Sequence, residues 1–154
     1  DVEESFHYYL KAAELGSPKA QYFVGRMYQI GEGVNQDLKE AFQWYLKSAN
    51  QGRVESIFQV ATNYRKGIGI EKSLSKAEEW YRIGALKNHP ACQFGLGQIL
   101  LLNGSSTNSF EQYLKCAKEG KDLESEYLVG KMLIQGKGTK KHFYRGFKYL
   151  EKAA

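Results

Sequence analysis

Five stretches of this chain are copies of one nine-residue pattern, and the interval between them limits what the chain can fold into. SFHYYLKAA at Ser5–Ala13 returns as AFQWYLKSA at Ala41–Ala49 and AEEWYRIGA at Ala77–Ala85, then as SFEQYLKCA at Ser109–Ala117 and GFKYLEKAA at Gly146–Ala154. The successive intervals are 36, 36, 32 and 37 residues. A second pattern alternates with the first: AQYFVGRMY at Ala20–Tyr28, SIFQVATNY at Ser56–Tyr64, CQFGLGQIL at Cys92–Leu100 and SEYLVGKML at Ser125–Leu133. Two patterns per period of this length mark stacked supersecondary units. None can bury its apolar face alone, so neighbours make the core.

Both patterns are helical. Ala41, Trp44, Tyr45, Ser48 and Ala49 lie three and four apart, as do Ala20, Val24, Met27 and Tyr28. Small residues share slots where helices must touch. Ala20, Ser56, Cys92 and Ser125 hold one slot; Gly25, Ala61, Gly97 and Gly130 hold another. The punctuation agrees. Gly16, Gly52 and Gly120 follow the first pattern, and Gly31, Gly67 and Gly136 follow the second, where a left-handed residue ends a helix cheaply. Asn88 and Asn103 take those places in the third unit. Pro18 and Pro90 sit where a first turn loses no helical bond. Asp37 with Glu40, and Asn108 with Glu111, read as capping boxes. The fold class is therefore all-α, with about nine antiparallel helices. A leading helix spans 1–17, and four helix-turn-helix units span 18–52, 53–88, 89–121 and 122–154.

Composition is consistent with one ordinary domain: 154 residues, 42% hydrophobic and 25% charged. No run of about 18 apolar residues is present, so the segment contains no candidate membrane-spanning helix. Asp1 is not a natural start, which points to a piece of a longer chain and leaves the compartment open. Lys plus Arg exceed Asp plus Glu by 22 to 17, a net +5. That excess favours acidic partners, but it is not the dense basic patch of a dedicated nucleic-acid binder. The run Lys137–Lys141 reads as a solvated loop.

Three loops carry G-x-G, at Gly31/Gly33, Gly67/Gly69 and Gly136/Gly138. A dinucleotide-binding fingerprint needs a strand before it, and a helical pattern precedes each copy here. Recurrence at the repeat period reads as a connector. No cofactor is expected. His7, His89 and His142 are scattered, and no Ser/His/Asp or Cys/His arrangement is legible, so no catalytic residue is assigned. Cys92 and Cys116 are too few for a zinc site. They occupy small-residue packing slots on adjacent helices, where a bridge stays open as an alternative. Asn103-Gly104-Ser105 is a glycosylation sequon that matters only in a secretory setting.

The combined motif A-x-x-W-Y-x-K-A-A-x-x-G, then A-Q-Y-x-x-G-x-x-Y-x-x-G-x-G-V-x-x-D, resembles the Sel1-like repeat, a relative of the tetratricopeptide repeat. Ala20 to Gly52 matches it at nearly every position. The third unit departs, with Leu100 and Asn103 in place of Tyr and Gly, and the fourth has Leu133 in place of Tyr. The resemblance implies a right-handed α-solenoid acting as a scaffold or adaptor without catalytic activity. It also implies that the helix of the second pattern lines a concave groove.

On that basis the partner-facing stripe is Lys19, Tyr22, Arg26 and Gln29 in the first full unit and Phe58, Thr62, Arg65 and Lys66 in the second. It continues with Phe94, Gln98 and Leu101 in the third and Tyr127, Lys131 and Ile134 in the fourth. Spacings of three and four put each set on one side of its helix. Tyr22, Phe58, Phe94 and Tyr127 belong equally to the packing consensus, so Arg26, Arg65, Lys66 and Lys131 are the more telling residues. The expected ligand is a protein or peptide with acidic residues and an apolar anchor, neither nucleic acid nor membrane. An inhibitor or immunity-type binder of a toxin or enzyme, and an accessory domain of a larger enzyme, are the alternatives. Open outer faces at the first and last helices predict further repeats or end-to-end self-association.

Overall fold

The computed structural model describes residues 1–120 and 122–154, so the expected unit boundary at Lys121 lies outside the described residues. Among the described residues all regular structure is helical. The chain forms two compact units, Asp1–Ile83 and Gly84–Ala154. The first holds α1 (Val2–Glu14), α2 (Pro18–Ile30), α3 (Leu38–Asn50), α4 (Val54–Lys66) and most of α5 (Leu74–Leu86). The second holds α6 (Pro90–Leu102), α7 (Ser106–Gly120), α8 (Leu123–Gln135) and α9 (Phe143–Ala153). Odd-numbered helices carry the first sequence pattern and even-numbered helices the second. In the first unit α1 packs on α2, α2 on α3 and α3 on α4; in the second α6 packs on α7, α7 on α8 and α8 on α9.

Local chemistry sets the helix ends. Gly31 closes α2 at φ +74°, and its N–H donates to Met27 O at 2.8 Å. Gly67 and Gly136 do the same for α4 and α8. Asp37 caps α3, accepting from the N–H groups of Lys39 and Glu40 at 2.9 and 3.0 Å. The Asp37 N–H itself donates to Tyr28 O, which closes the loop back onto α2. Pro18 and Pro90 open α2 and α6.

Two expected stops, Asn103 and Gly120, and one expected cap, Asn108, differ, whereas the stop at Asn88 does not. Asn88 is left-handed at φ +57°, as its slot requires. Asn103 sits at φ −79°, and Gly104 takes the left-handed place instead at +79°. With the connector shortened there, α7 begins at Ser106, so Asn108 lies inside the helix and caps nothing. α7 also runs through Gly120 rather than ending before it.

Two kinds of close contact bring the helices together. The Tyr45 ring of α3 lies against Gly25 of α2, where a Cβ would come within 2.9 Å of the ring and 3.1 Å of the Ala41 carbonyl. The loop glycine Gly69 is held, at φ +69°, against the Leu38 carbonyl in the first turn of α3; a Cβ would overlap that oxygen. Gly33 meets Val2 of α1 in the same way, and in the second unit Gly138 meets Ser106 of α7. The second glycine of each G-x-G is thus a contact point between one connector and the start of the preceding odd-numbered helix.

Aromatic pairs fill the remaining space. Phe6 meets Tyr28 edge-on at 5.3 Å, and Phe42 meets Tyr64 in the same manner at 5.2 Å. Trp44 packs with Ala13, Ala20 and Val24; in the second unit Tyr113, Ala117, Val129, Met132 and Leu133 form the core. Each large side chain fully buried there stabilises by about 1.5–3 kcal/mol relative to exposure. Several polar groups inside pair across helices. Ser56 donates to Ser48, which donates to the Pro18 carbonyl, both at 2.7 Å. Buried Gln21 donates to Ala13 O and accepts from Gln51.

Gly25→Ala and Gly69→Ala are each expected to lower the unfolding free energy by about 1–3 kcal/mol through overpacking. Gly16→Ala meets no atom within 4 Å and should show only the left-handed backbone cost of about 1–2 kcal/mol. Urea denaturation of the three variants measures the difference, and Gly69→Ala, which carries both penalties, should fall furthest.

Candidate functional site

The even-numbered helices bury Ala20, Val24 and Met27 in α2, and Ser56, Val60 and Ala61 in α4. Their opposite sides carry the stripe expected from the sequence, and its members fall into three groups.

The aromatic members are half committed to packing. Tyr22 tilts against Tyr45 at 5.7 Å and Phe58 against Tyr81 at 6.2 Å, both in the first unit. Phe94 tilts against Tyr113 at 5.6 Å in the second. These three are half-buried, whereas Tyr127 is exposed. The floor of the surface is therefore made by tyrosines of the odd-numbered helices, which the sequence reading did not assign to the site. Their signal was present: Tyr45, Tyr81 and Tyr113 occupy one slot of the first pattern, opposite the small-residue slot of the second. Burial pushes the Tyr45 phenol up, with Tyr22 adding to the rise and Arg26 pulling it back.

The polar members Gln29 and Thr62 are engaged by those same tyrosines. Tyr45 donates its hydroxyl to Gln29 Oε1 at 2.6 Å, and the hydroxyls of Tyr81 and Thr62 lie 3.0 Å apart. Gln98 is half-buried. Ile134 is turned inward: a Cβ on Gly146 of α9 would come within 2.6 Å of it, which places it in the α8–α9 contact. Leu101 is half-buried, and its neighbour Leu102 is exposed.

The charged members remain outermost. Lys19, Arg26, Lys66 and Lys131 are exposed and Arg65 is half-buried. Arg26 shares an open cleft of about 290 Å³ with Tyr9, Phe23, Met27 and Glu32, beside α1. Lys131 reaches over the Tyr127 ring at 6.0 Å. Arg53, which the sequence reading passed over, stands 5.1 Å from the Tyr22 ring and pairs with Glu55 at 3.2 Å. It offsets the acid that otherwise interrupts this basic surface. The first unit thus presents cations around a tilted tyrosine, and the second presents Lys131 with Tyr127.

In the G-x-G loops the N–H groups of Gly31 and Glu32 donate to Met27 O, and those of Gly67 and Ile68 to Asn63 O. Those donors are turned back onto their own helices, away from the position a phosphate would occupy. Cys92 and Cys116 are free, buried thiols, and Cys116 donates to Pro90 O at 3.3 Å. Burial alone raises the Cys92 thiol from 9.0 to about 12, the opposite of an activated nucleophile. Among the described residues no three His, Cys, Asp or Glu side chains gather where they could hold a metal ion, and no helix is long and apolar enough to cross a membrane.

The Sel1 repeat profile matches residues 1–17, 18–52, 54–89 and 123–154. Among solved structures, the chain is similar to a Sel1 repeat protein from Oxalobacter formigenes, at 28% identity and a TM-score of 0.88. It is also similar to a protective antigen of uropathogenic Escherichia coli strains that displays an SLR fold, at 29% identity and a TM-score of 0.94. Both similarities cover 99% of this chain, but only 64% of the first protein and 33% of the second. No curated protein matches the chain.

The Cys92 shift predicts alkaline sensitivity. An unfolded thiol releases its proton near 9 while the folded one keeps it to about 12. The unfolded state therefore binds fewer protons in that window, and stability falls as pH rises through it. Cys92→Ala should flatten the decline seen in urea titrations between those values. Native Cys92 should also resist a thiol reagent that labels it readily after unfolding.

Proposed function

Because this chain belongs to the Sel1 repeat family, whose all-α solenoid repeats commonly mediate protein–protein interaction and are typically non-catalytic, we propose that it is a binding scaffold for a polypeptide segment that carries acidic residues and an apolar anchor. The observation that carries this reading is the division of labour on the even-numbered helices. Gln29 and Thr62 are bonded to the tyrosine floor, while Lys19, Arg26, Lys66 and Lys131 are exposed. The fold does not need cations at those slots, so their place is explained by what lies outside.

Arg26 has Tyr9 and Phe23 beside it, and Arg53 flanks Tyr22. A carboxylate held by the planar, forked guanidinium of Arg26 would set a peptide's register. An apolar side chain would then lie on the exposed part of Tyr22 or Phe58. In the second unit Tyr127 with Lys131, and Leu102 at the end of α6, offer the same two chemistries.

A displayed library of random peptides should enrich sequences with Asp or Glu near Leu or Phe. A variant combining Arg26→Glu, Lys66→Glu and Lys131→Glu should lose the enriched peptides while keeping its helical content. Each charge-assisted contact removed is worth roughly 1.5–3 kcal/mol, about tenfold or more in affinity. Enrichment of basic peptides, or unchanged affinity in the triple variant, would place the binding surface elsewhere.

A further inference from the structure

The chain's net charge is concentrated in one connector and one helix edge. In the stretch 136–152 six Lys and Arg stand against one Glu, a net +5 that equals the net charge of the whole chain. Lys140 and Lys141 lie on the connector before α9, and Arg145, Lys148 and Lys152 follow along α9 at spacings of three and four; all five are exposed. This edge recurs on the inner odd-numbered helices. On α3, packed between α2 and α4, its slots hold Lys39, Glu40, Gln43 and Lys47, all exposed. On α7, packed between α6 and α8, they hold Thr107, Asn108, Glu111 and Lys115, again all exposed. Exposure is therefore a property of the slot, present even where a helix has neighbours on both sides. α9 fills the same slots with Tyr144, Arg145, Lys148 and Lys152.

That filling works against the helix. Like charges three and four residues apart repel, and among the described residues none of the five cations pairs with a carboxylate. Lys148 lies over the Tyr144 ring at 4.8 Å and Lys152 over the Tyr149 ring at 5.6 Å. Arg145, Lys148 and Lys152 rim, with Tyr149, an open cleft of about 180 Å³. The connector lysines are held beside it. The His142 N–H donates to Leu133 O at 2.9 Å, and the His142 ring caps α9 by accepting from the Arg145 N–H at 3.4 Å.

We propose that this edge docks on anionic phospholipid headgroups, with the chain resting on the bilayer surface and none of these helices crossing it. Five Lys and Arg clustered along one exposed edge match the dense negative charge of such a surface, which imposes no shape of its own. A headgroup phosphate has the cleft of Arg145, Lys148 and Lys152 to enter. Tyr144, 67% exposed, stands among the cations, where an amphipathic ring favours the membrane interface. Other polyanions fit the edge less well. Single-stranded nucleic acid stacks its bases on open rings, and here the Tyr144 and Tyr149 rings carry lysines of their own helix. An acidic peptide with an apolar anchor needs an apolar seat, and this cleft is rimmed by cations. The edge belongs to an odd-numbered helix, so it is separate from the even-numbered surface proposed for peptide binding.

Co-sedimentation of the 154-residue chain with lipid vesicles tests it. The chain should pellet with an equal mixture of phosphatidylcholine and phosphatidylglycerol and stay in solution with phosphatidylcholine alone. It should be released at an ionic strength of about 1 M, where the screening length shrinks to about 3 Å. Lys141→Gln, Arg145→Gln and Lys148→Gln together should weaken binding on the order of a hundredfold, about fivefold for each cation near the surface. Lys11→Gln, Lys39→Gln and Lys47→Gln together remove the same charge from α1 and α3 and should leave binding unchanged. Lys140→Gln with Lys152→Gln repeats the test at other positions, and circular dichroism reports the helical content of every variant. Binding to neither vesicle, equal binding to both, or an equal loss in the two triple variants overturns the proposal. So does a chain that ignores the mixed vesicles yet binds a single-stranded RNA oligonucleotide or poly-glutamate through these residues.

Discussion

The contact between a tyrosine ring and the bare backbone of a facing glycine is what the rest of this architecture depends on. Tyr45 on Gly25 in the first unit and Tyr113 on Gly97 in the second bring an odd-numbered helix closer to its even-numbered partner than any side chain at the glycine would allow. That approach buries the ring yet leaves the Tyr45 hydroxyl within 2.6 Å of Gln29, one turn along the same face of α2 from Gly25. The same residue therefore closes the core and orders the outer surface. Its ring also supports Tyr22, which is why a face that looks free in a helical projection is half made of packing residues.

This coupling explains the chemistry of the surface. Neutral polar groups near the tyrosine hydroxyls are satisfied internally, and buried polar groups left unpaired would be costly. Cations further out contact the rings, Arg53 with Tyr22 and Lys131 with Tyr127. For the proposed binding of an acidic peptide, an aromatic floor already packed by the fold would limit the entropy lost on binding. The connector loops contribute to stacking instead: their first N–H groups bond backward, and their second glycines seat on the preceding odd-numbered helix.

Most of the architecture was legible because repetition tests each local signal several times over. Gly31, Gly67 and Gly136 stand at one slot, and each ends its helix as that slot predicts. The errors fell where the repeat departs from itself. In the third unit the connector shortens, so the left-handed position moved from Asn103 to Gly104 and the start of α7 moved ahead of Asn108. A single departing copy offers no second instance against which to check a boundary.

The sequence by itself determined the helix count, the alternation of two helix types and the slots where glycine or another small residue must stand. These follow from periodicity and backbone sterics, which act over a few residues. Only the tertiary structure decided which outward residues remain available. It bonded Gln29 to Tyr45 and Thr62 to Tyr81, turned Ile134 toward Gly146, and brought Arg53 beside Tyr22 across a helix boundary. Such pairings depend on distances between helices, and a helical wheel drawn for one segment contains no information about the segment packed against it.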